Sequence, residues 1–398
     1  MFLKGDNKRG IFKELCLDFI MNIIIHYNEI ATKGKNRNYF ERFLMRNLQN
    51  TLRGFVTRVY KRYGLIVVEV NNEKEEIKNK LFKVSGIANF SFSVKAELNF
   101  NNVKEKTLEI AKEKEFSSFK VNARRSNKNF PKTSKEINKE IGDLIREKLD
   151  KKVDLSNPDL ELFIEVGEKE VFLYYEKFSG IGGLPVGVSG KLVSSLSGGI
   201  DSPIASYLMM KRGCEIIFVH IFNKNVSGEG AVGKIEKIVN VLKEFQGKTE
   251  LYIVPFEELQ KEIIKNVPAE LRMIVYRRYM MRILNSISLG EKAGGIVTGD
   301  SLGQVASQTL ENLGLIHNVP EVPVFSPLIG MNKDEIINIA RNIGTYEFSI
   351  LPYEDCCSFM IAEHPETKGR LEEIEKFEKR IDEKIVENVV DNSRILRF

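Results

Sequence analysis

The sequence predicts an α/β chain in which a doubly wound parallel sheet is preceded by two smaller mixed units. Three observations carry this. From residue 191 onward, β-branched apolar runs alternate with helical patterns in the order βαβαβ. Before about residue 178, strands and helices are mixed with hairpins. Between the two lies SGIGGLPVGVSG (179–190), whose glycines suit a linker or domain boundary. At 398 residues and 42% hydrophobic content, the chain can hold two or three domains with cores of useful size.

The elements follow in order. NIIIHYNEI (22–30) is a β-branched strand run, ATKGKNRN (31–38) a basic turn, and YFERFLMRNLQNTLR (39–53) has helical apolar spacing. Strands at 55–61 and 65–70 flank RYG, and 73–83 is helical again. That order predicts a ferredoxin-like α+β unit over 21–83. The second unit, 84–178, opens with FSFSVKAEL (90–98) as a strand and 101–115 as a helix. FKVNARRSNKNFP (119–131) runs from a strand into a basic loop. Over 133–149, Ile137, Ile141, Leu144, Ile145 and Leu149 share one helical face, capped by Thr133 or Ser134 with Glu136 in the first turn. A hairpin around Gly167-Glu168-Lys169 closes this unit. In the third region, 191–398, strands are predicted at 215–222, 251–256 and 294–301, with helices at 232–245, 257–266 and 269–289. A charged helix over 370–387 reads as a solvated surface element.

Composition narrows the function classes. A net charge of +5 is mildly basic and only weakly favours a polyanionic partner. No run approaches the roughly 20 apolar residues of a membrane helix. MFLKGDNKRGIFKELCLDF lacks the continuous apolar stretch of a signal peptide, so a cytoplasmic protein is expected. Residues 1–20 precede the first unit awkwardly, and Met21 is a candidate start. Four cysteines (Cys16, Cys214, Cys356, Cys357) make neither a disulfide framework nor a CxxC pair, and with only four histidines no structural zinc is expected.

The most informative segment is LVSSLSGGIDSP (192–203). An apolar strand enters a Ser-Gly-Gly-x-Asp-Ser turn, and an apolar helix pattern leaves it from Ile204 to Met210. Adjacent glycines let backbone N–H groups approach a ligand without Cβ obstruction, and the following helix points its N-terminus at the same spot. Ser197 and Ser202 add hydroxyls. The result is a cradle for pyrophosphate, distinct in spacing from the GxxxxGK[ST] loop, which this chain lacks. GEGAVG (228–233) also fits GxGxxG, but it is not in the first βα unit, and the acidic residues nearest the end of the next strand, Glu257 and Glu258, fall in a predicted helix; a flexible loop is expected there.

This turn resembles the PP-loop of the ATP pyrophosphatases, which make an oxygen a leaving group by adenylating it. Further segments extend the likeness: NIIIHYNEIATKGKNR, GLPVG, KRGCEIIFVHIF, VYRRYMMRI, TGDSLGQVASQTL, PVFSPLIGMNKDEI and PYEDCC. Together they resemble the tRNA 4-thiouridine synthetase family, from about residue 21 to near 380. The resemblance implies a ferredoxin-like domain, a THUMP domain and a PP-loop domain. It implies ATP and Mg2+ as cofactors, adenylation of O4 of the uridine at tRNA position 8, and displacement of AMP by a persulfide sulfur. Sulfur supply to the thiazole of thiamine is implied as well.

Carried onto this chain, the resemblance places the pyrophosphate grip on Ser197, Gly198, Gly199, Asp201 and Ser202. Val193 and Ser194 would touch the nucleotide, His220 and Ile221 would flank the adenine or ribose, and Arg277 would meet phosphate charge. Gly299 would allow close approach of the nucleotide and Gln308 would close the pocket. Asp201 and Asp300 are both candidates for magnesium or for orienting water. The sulfur step falls on Cys356, with Cys357 its neighbour, whereas Cys214 reads as structural and Cys16 as irrelevant. A disulfide between adjacent Cys356 and Cys357 would be strained, so the resolving thiol stays open. Many bacterial members carry a C-terminal rhodanese domain, for which this sequence leaves no room. Sulfur is therefore expected directly from a cysteine desulfurase or another persulfide donor.

The N-terminal units are expected to hold tRNA through shape and phosphate contacts, with Lys33, Lys35 and Arg37 as candidates. From Asn122 to Lys152 there are ten Lys/Arg against five Asp/Glu. That run is either a solvated helix face or a phosphate-contacting surface built on Arg124, Arg125, Lys128 and Lys132. The resemblance favours a homodimer. The competing readings are another PP-loop adenylating enzyme and a non-catalytic tRNA-binding protein.

Overall fold

A computed structural model describes residues 21–62, 64–71, 73–223, 230–352 and 362–398. Residues 1–20, Cys356, Cys357 and the first two residues of GEGAVG lie outside them. The chain divides into two compact units at Gly182/Gly183. No helix among the described residues is long and apolar enough to cross a membrane.

The first unit holds β1 (Met21–His26), α1 (Arg37–Thr51), β2 (Val56–Arg62), β3 (Leu65–Val70), α2 (Lys74–Leu81), β4 (Asn89–Ala96), α3 (Phe100–Lys112), β5 (Ser118–Arg125), α4 (Ser134–Leu149), β6 (Lys152–Val153), β7 (Leu160–Val166), β8 (Val171–Tyr174) and β9 (Phe178–Ser179). β1 stops at His26 and gives way to short 3-10 turns, earlier than the 22–30 run predicts. The period-2 rule explains why β1 is apolar throughout. Ile23 and Ile25 pack on Leu44, Leu48, Ile77 and Leu81, whereas Ile24 faces Tyr60, Val67 and Phe172 on the other side.

β4 joins the two halves of this unit into one sheet. Its first part pairs antiparallel with β1 (Asn22↔Ser93) and its last part with β8 (Val94↔Leu173). Among the described residues the order is β2-β3-β1-β4-β8-β7-β5-β6, with β9 beside β4. α3 and α4 cover the second half through Val103, Ile110, Ile137, Ile141 and Ile145. Thr133 and Glu136 form the predicted capping box at the start of α4. On each side of the division the 179–190 stretch is tied to its own unit. Gly182 accepts from the Gly86 N–H at 2.8 Å, and two residues on the Leu184 N–H donates to the Lys211 carbonyl at 2.9 Å.

The second unit continues with β10 (Lys191–Ser195), α5 (Asp201–Lys211), β11 (Glu215–Phe222), α6 (Gly230–Gln246), β12 (Glu250–Pro255), α7 (Glu257–Asn266), α8 (Ala269–Gly290), β13 (Ile296–Val297), α9 (Leu310–His317), β14 (Val324–Phe325), α10 (Lys333–Ile343), α11 (Tyr346–Ser349), α12 (Leu371–Glu378), α13 (Lys384–Asp391) and β15 (Arg394–Arg397). Gly230–Gly233 begin α6, so these four residues of the GEGAVG segment are helix, not loop. β13 is only two residues long, because Thr298 to Ser301 turn out of the sheet.

The sheet order is β14-β13-β10-β11-β12-β15. β10 to β14 pair in parallel, and β15 adds an antiparallel edge on β12. The chain winds from β10 to β12 in one direction, then returns to place β13 on the other side of β10. That reversal makes the carboxyl edge between β10 and β13 the switch point where such sheets bind ligands. The 370–387 region is two helices, not one, and it is not a purely solvated element. Ile374, Ile381, Ile385 and Val389 enter the same core as Ile274, Ile283 and Ile287 of α8.

Candidate active site

β10 delivers the chain to the switch point, and the following turn closes on itself. The Ser197 N–H donates to Ser202 Oγ at 2.8 Å, the two hydroxyls stand 3.1 Å apart, and the Gly199 N–H donates to Ser197 Oγ at 3.3 Å. Pro203 lies in the first turn of α5, where a missing N–H breaks no helical bond. No side chain caps the N-terminus of α5, so its end is left to attract an anion. Neither Gly198 nor Gly199 has a positive φ. Glycine serves here by leaving the N–H groups uncovered; Gly198 is buried and Gly199 exposed.

Gly299 packs against the turn itself. A Cβ on it would stand 2.8 Å from the Ser202 N and 3.0 Å from the Asp201 carbonyl carbon. What approaches Gly299 closely is the backbone of the turn itself.

Around this turn the structure gathers charge. Asp201 accepts from Lys333 Nζ at 2.6 Å on one oxygen and from Gln304 Nε2 at 3.1 Å on the other. Lys333 opens α10 behind a capping box made by Asn332 and Glu335. Sequence reasoning passed over it, because a lysine at a helix start reads as solvated; only its place in a matched segment hinted otherwise. Arg277, on α8, donates to Asp300 Oδ1 at 2.5 Å and to the Ser307 carbonyl at 3.1 Å. Gln308 Nε2 reaches the same Asp300 oxygen at 3.0 Å, and His317 Nε2 meets Asp300 Oδ2 at 3.0 Å. Asp300 is 3% exposed. Burial alone would raise its pKa, but the Arg277 charge and bonds from His317 and Thr298 hold it well below the usual carboxylate range.

Val193, Ser194, His220 and Ile221 are all buried. Val193 packs in the core and Ser194 Oγ is bonded to Ser206 Oγ at 2.8 Å, so neither side chain presents a surface to a ligand. The residues at the carboxyl edge of β10 are instead Ser195 and Leu196. The Leu196 N–H donates to the Val219 carbonyl at 2.8 Å, and His220 Nδ1 lies 2.9 Å from the Leu196 carbonyl. His220 thus fixes the strand's exit. Cys214 is a buried free thiol whose pKa burial pushes up, as suits a structural residue.

The residues fit a magnesium ion only in a limited way. No group of three His, Cys, Asp or Glu among the described residues is placed to hold a metal. Magnesium commonly takes one or two carboxylates plus substrate phosphates, and Asp201 at the turn is the carboxylate suited to that.

In the first unit, the expected cations separate into two kinds. Arg37 is committed to Glu41 Oε1 at 2.8 Å and the Tyr27 hydroxyl at 2.6 Å. Arg125 donates to the carbonyls of Lys128, Phe130 and Lys132 and so shapes the basic loop. Lys132 pairs with Glu140 at 2.6 Å, and Lys33 lies 3.6 Å from Glu29. Lys35, Arg124 and Lys128 are exposed. Two clefts lie among these groups. One of about 420 Å³ is lined by Arg37, Lys61, Arg62 and Lys169 together with Glu41 and Glu168, and one of about 320 Å³ by His26, Arg62, Arg124 and Arg125 together with Glu165, Glu168 and Glu170. Lys61 and Arg62 were missed in the sequence, where Lys61 reads as the end of a strand and Arg62 as part of the RYG connection.

Comparison with known proteins agrees with this geometry. Residues 187–382 match the family described as thiamine biosynthesis protein (ThiI), 97–176 the THUMP domain, and 22–91 the ThiI ferredoxin-like domain. A probable tRNA sulfurtransferase of Caldanaerobacter subterraneus subsp. tengcongensis is 41% identical, over 92% of this chain and 97% of its own length. One from Geobacillus thermodenitrificans is 42% identical, over 90% of this chain and 91% of its own. Among solved structures, a 4-thiouridine synthetase–RNA complex with bound ATP superposes with a TM-score of 0.87 at 38% identity, covering 96% of this chain and all of that one. PH1313 from Pyrococcus horikoshii follows with a TM-score of 0.66 at 27% identity, covering 82% of this chain and 100% of that one. On identity sustained across nine-tenths of its length, the chain belongs to the ThiI family of tRNA sulfurtransferases.

Proposed function

We propose that this protein is an ATP-dependent tRNA uracil 4-sulfurtransferase. The observation that carries this is the self-closed Ser197–Ser202 turn beneath an uncapped helix, at the sheet's switch point, with Arg277 and Lys333 beside it. N–H groups and cations converge where a triphosphate would sit, and they suit the charge that departs as pyrophosphate. O4 of the target uridine attacks the α-phosphorus, and the bond to pyrophosphate breaks. The terminal sulfur of the Cys356 persulfide then forms a C–S bond at C4 as the C–O bond to AMP breaks. A second thiol attacks Cys356 Sγ, and the S–S bond breaks with its electrons left on the sulfur at C4. The resulting disulfide is reopened by a dithiol reductant. A bound magnesium would screen the phosphate charge beside Asp201.

The sulfur carrier in this reading is Cys356, with Cys357 its neighbour and a cysteine desulfurase or other persulfide donor as source. The domains are read as ferredoxin-like (21–83), THUMP (84–178), a linker (179–190) and the PP-loop domain (191–398). The first two hold tRNA, with Lys35, Arg124 and Lys128 as the exposed contacts and Lys61, Arg62 and Lys169 lining the adjoining cleft. A cytoplasmic homodimer and a second sulfur outlet toward thiamine thiazole complete the reading.

The test incubates protein with ATP, Mg2+, a persulfide source and unmodified tRNA. Pyrophosphate release is followed together with thiolated tRNA on a mercury-affinity gel. tRNA-dependent pyrophosphate with a shifted band is the expected result. Pyrophosphate without a shift would reduce the protein to another adenylating enzyme. tRNA binding with neither signal would make it a binding protein.

A further inference from the structure

We propose that Asp300 is a positioning residue rather than a metal ligand: it aims Arg277 and Gln308 at the bound nucleotide and is itself braced by His317. The inference rests on the sulfurtransferase reading and concerns the same site.

Four separate elements meet on this one carboxylate. Asp300 follows β13, Arg277 comes from α8, Gln308 from the 3-10 turn Ala306–Gln308, and His317 from the last residue of α9. Oδ1 takes Arg277 at 2.5 Å and Gln308 at 3.0 Å; Oδ2 takes His317 at 3.0 Å. The carboxylate side chain is 4% exposed, against 21% for that of Asp201. Magnesium demands near-octahedral oxygen geometry and sheds its water reluctantly. Reaching Asp300 would displace Arg277 and leave a partly buried cation without its partner, which is unfavourable.

The two groups that Asp300 holds are left with capacity to spare. Arg277 has five N–H donors in a fixed fork, and its side chain is 15% exposed. Its bonds to Asp300 and Ser307 set the plane of the guanidinium and leave donors for phosphate. Gln308 is fixed in the opposite sense. Its NH2 must face the carboxylate, so its Oε1 is an acceptor by elimination. That oxygen is buried and has no hydrogen-bond partner among the described residues. A buried acceptor left unpaired is costly and calls for an N–H or O–H from a ligand. One carboxylate therefore presents a donor fork and an acceptor side by side. His317, which no sequence pattern singled out, holds the far oxygen and keeps the carboxylate from rotating.

The test compares Asp300→Asn, His317→Ala, His317→Gln, Arg277→Gln and the Arg277→Gln/Asp300→Asn double variant in the full-length protein. tRNA-dependent pyrophosphate release is measured against ATP at saturating Mg2+, and against free Mg2+ at saturating ATP. Asp300→Asn should raise KM for ATP by about tenfold or more, the scale of a hydrogen bond to a charged group. Half-saturating Mg2+ should stay at the wild-type value. The double variant should fall short of the sum of the two single effects, because Asp300 acts in part through Arg277, and what remains beyond Arg277→Gln is the share carried by Gln308. His317→Ala should shift KM in the same direction, and His317→Gln, which keeps a donor, should recover it. A raised Mg2+ requirement in Asp300→Asn, recovered by Mn2+, would overturn the proposal in favour of a metal ligand, and an additive double variant would overturn the coupling. Should Asp300→Asn fail to fold, the His317 pair carries the same two readouts, and wild-type behaviour of His317→Ala would overturn the brace. A wild-type protein that releases no pyrophosphate would overturn the sulfurtransferase reading first, and this proposal with it.

Discussion

Gly299 shows how finely the turn is fitted. Its missing Cβ would meet main-chain atoms of Asp201 and Ser202, which cannot swing aside as a side chain can. Gly299→Ala should therefore cost about 1–3 kcal/mol, the usual range for overpacking, and push the turn out of register with its ligand. The expected result is a lowered Tm together with a raised KM for ATP. A variant with wild-type KM would show that the turn tolerates displacement. Legibility at this scale was uneven. The glycine–serine turn could be read because its residue types act locally, through N–H groups and hydroxyls close in the chain. Lys333 could not, since it meets Asp201 across 132 residues of sequence. Val193 and Ser194 were misplaced because a strand's spacing does not say where its carboxyl edge falls. The edge is set by pairing with β11 and β13, and it lies at Ser195 and Leu196.

Elements with a strong local signal agree with the sequence reading, and the exceptions share a cause. α4 was legible because Thr133 and Glu136 write its start and a clean apolar stripe writes its face. α12 was misread because its charge hides a partner far away. Glu378 is buried between Arg278 and Arg282, accepting from Arg278 Nε at 2.8 Å and Arg282 Nη2 at 2.7 Å. Burial would raise the Glu378 pKa, but the two guanidinium groups hold it below the ordinary value of 4.5. A depressed carboxylate contributes stability that is present above the unfolded pKa and lost as pH falls through the folded one. Glu378→Ala should cost about 3–5 kcal/mol in urea unfolding at neutral pH, since it strands Arg278 in the core. Glu378→Gln should be milder, and should also flatten the fall in stability below pH 4.5 that the depressed Glu378 carboxylate predicts for the wild type. An unchanged acid profile in Glu378→Gln would remove this triad from the linkage. β15 went unread for a related reason: RILR is short and charged, and it becomes a strand only because β12 offers an open edge.

For the whole molecule, the question is how a chain with a net charge of only +5 holds a polyanion. Composition gives a weak answer, because total charge ignores where cations are spent. In the first unit many are spent on buried carboxylates or on loop carbonyls. Glu41 takes Arg37 and Lys61, Glu170 takes Arg62 and Lys95, and the Arg125 guanidinium holds three loop carbonyls. What remains for phosphate is a smaller, exposed set that includes Lys35, Arg124 and Lys128. The two kinds should separate by experiment. Each cation that neutralises a phosphate releases counterions, so log affinity falls with log salt in proportion to the number of contacts. Arg124→Ala and Lys128→Ala should each weaken tRNA binding at low salt and reduce that slope by about one, with Tm unchanged. Arg125→Ala should behave oppositely. Its loss leaves three carbonyls without their donor, so Tm should fall, and any loss of binding should track the loosened 126–132 loop more than the salt slope. If all three variants shift the slope equally, internal hydrogen bonding does not decide which cations reach RNA. A slope indifferent to Arg124 and Lys128 would move the contact surface to the cleft lined by Lys61 and Lys169.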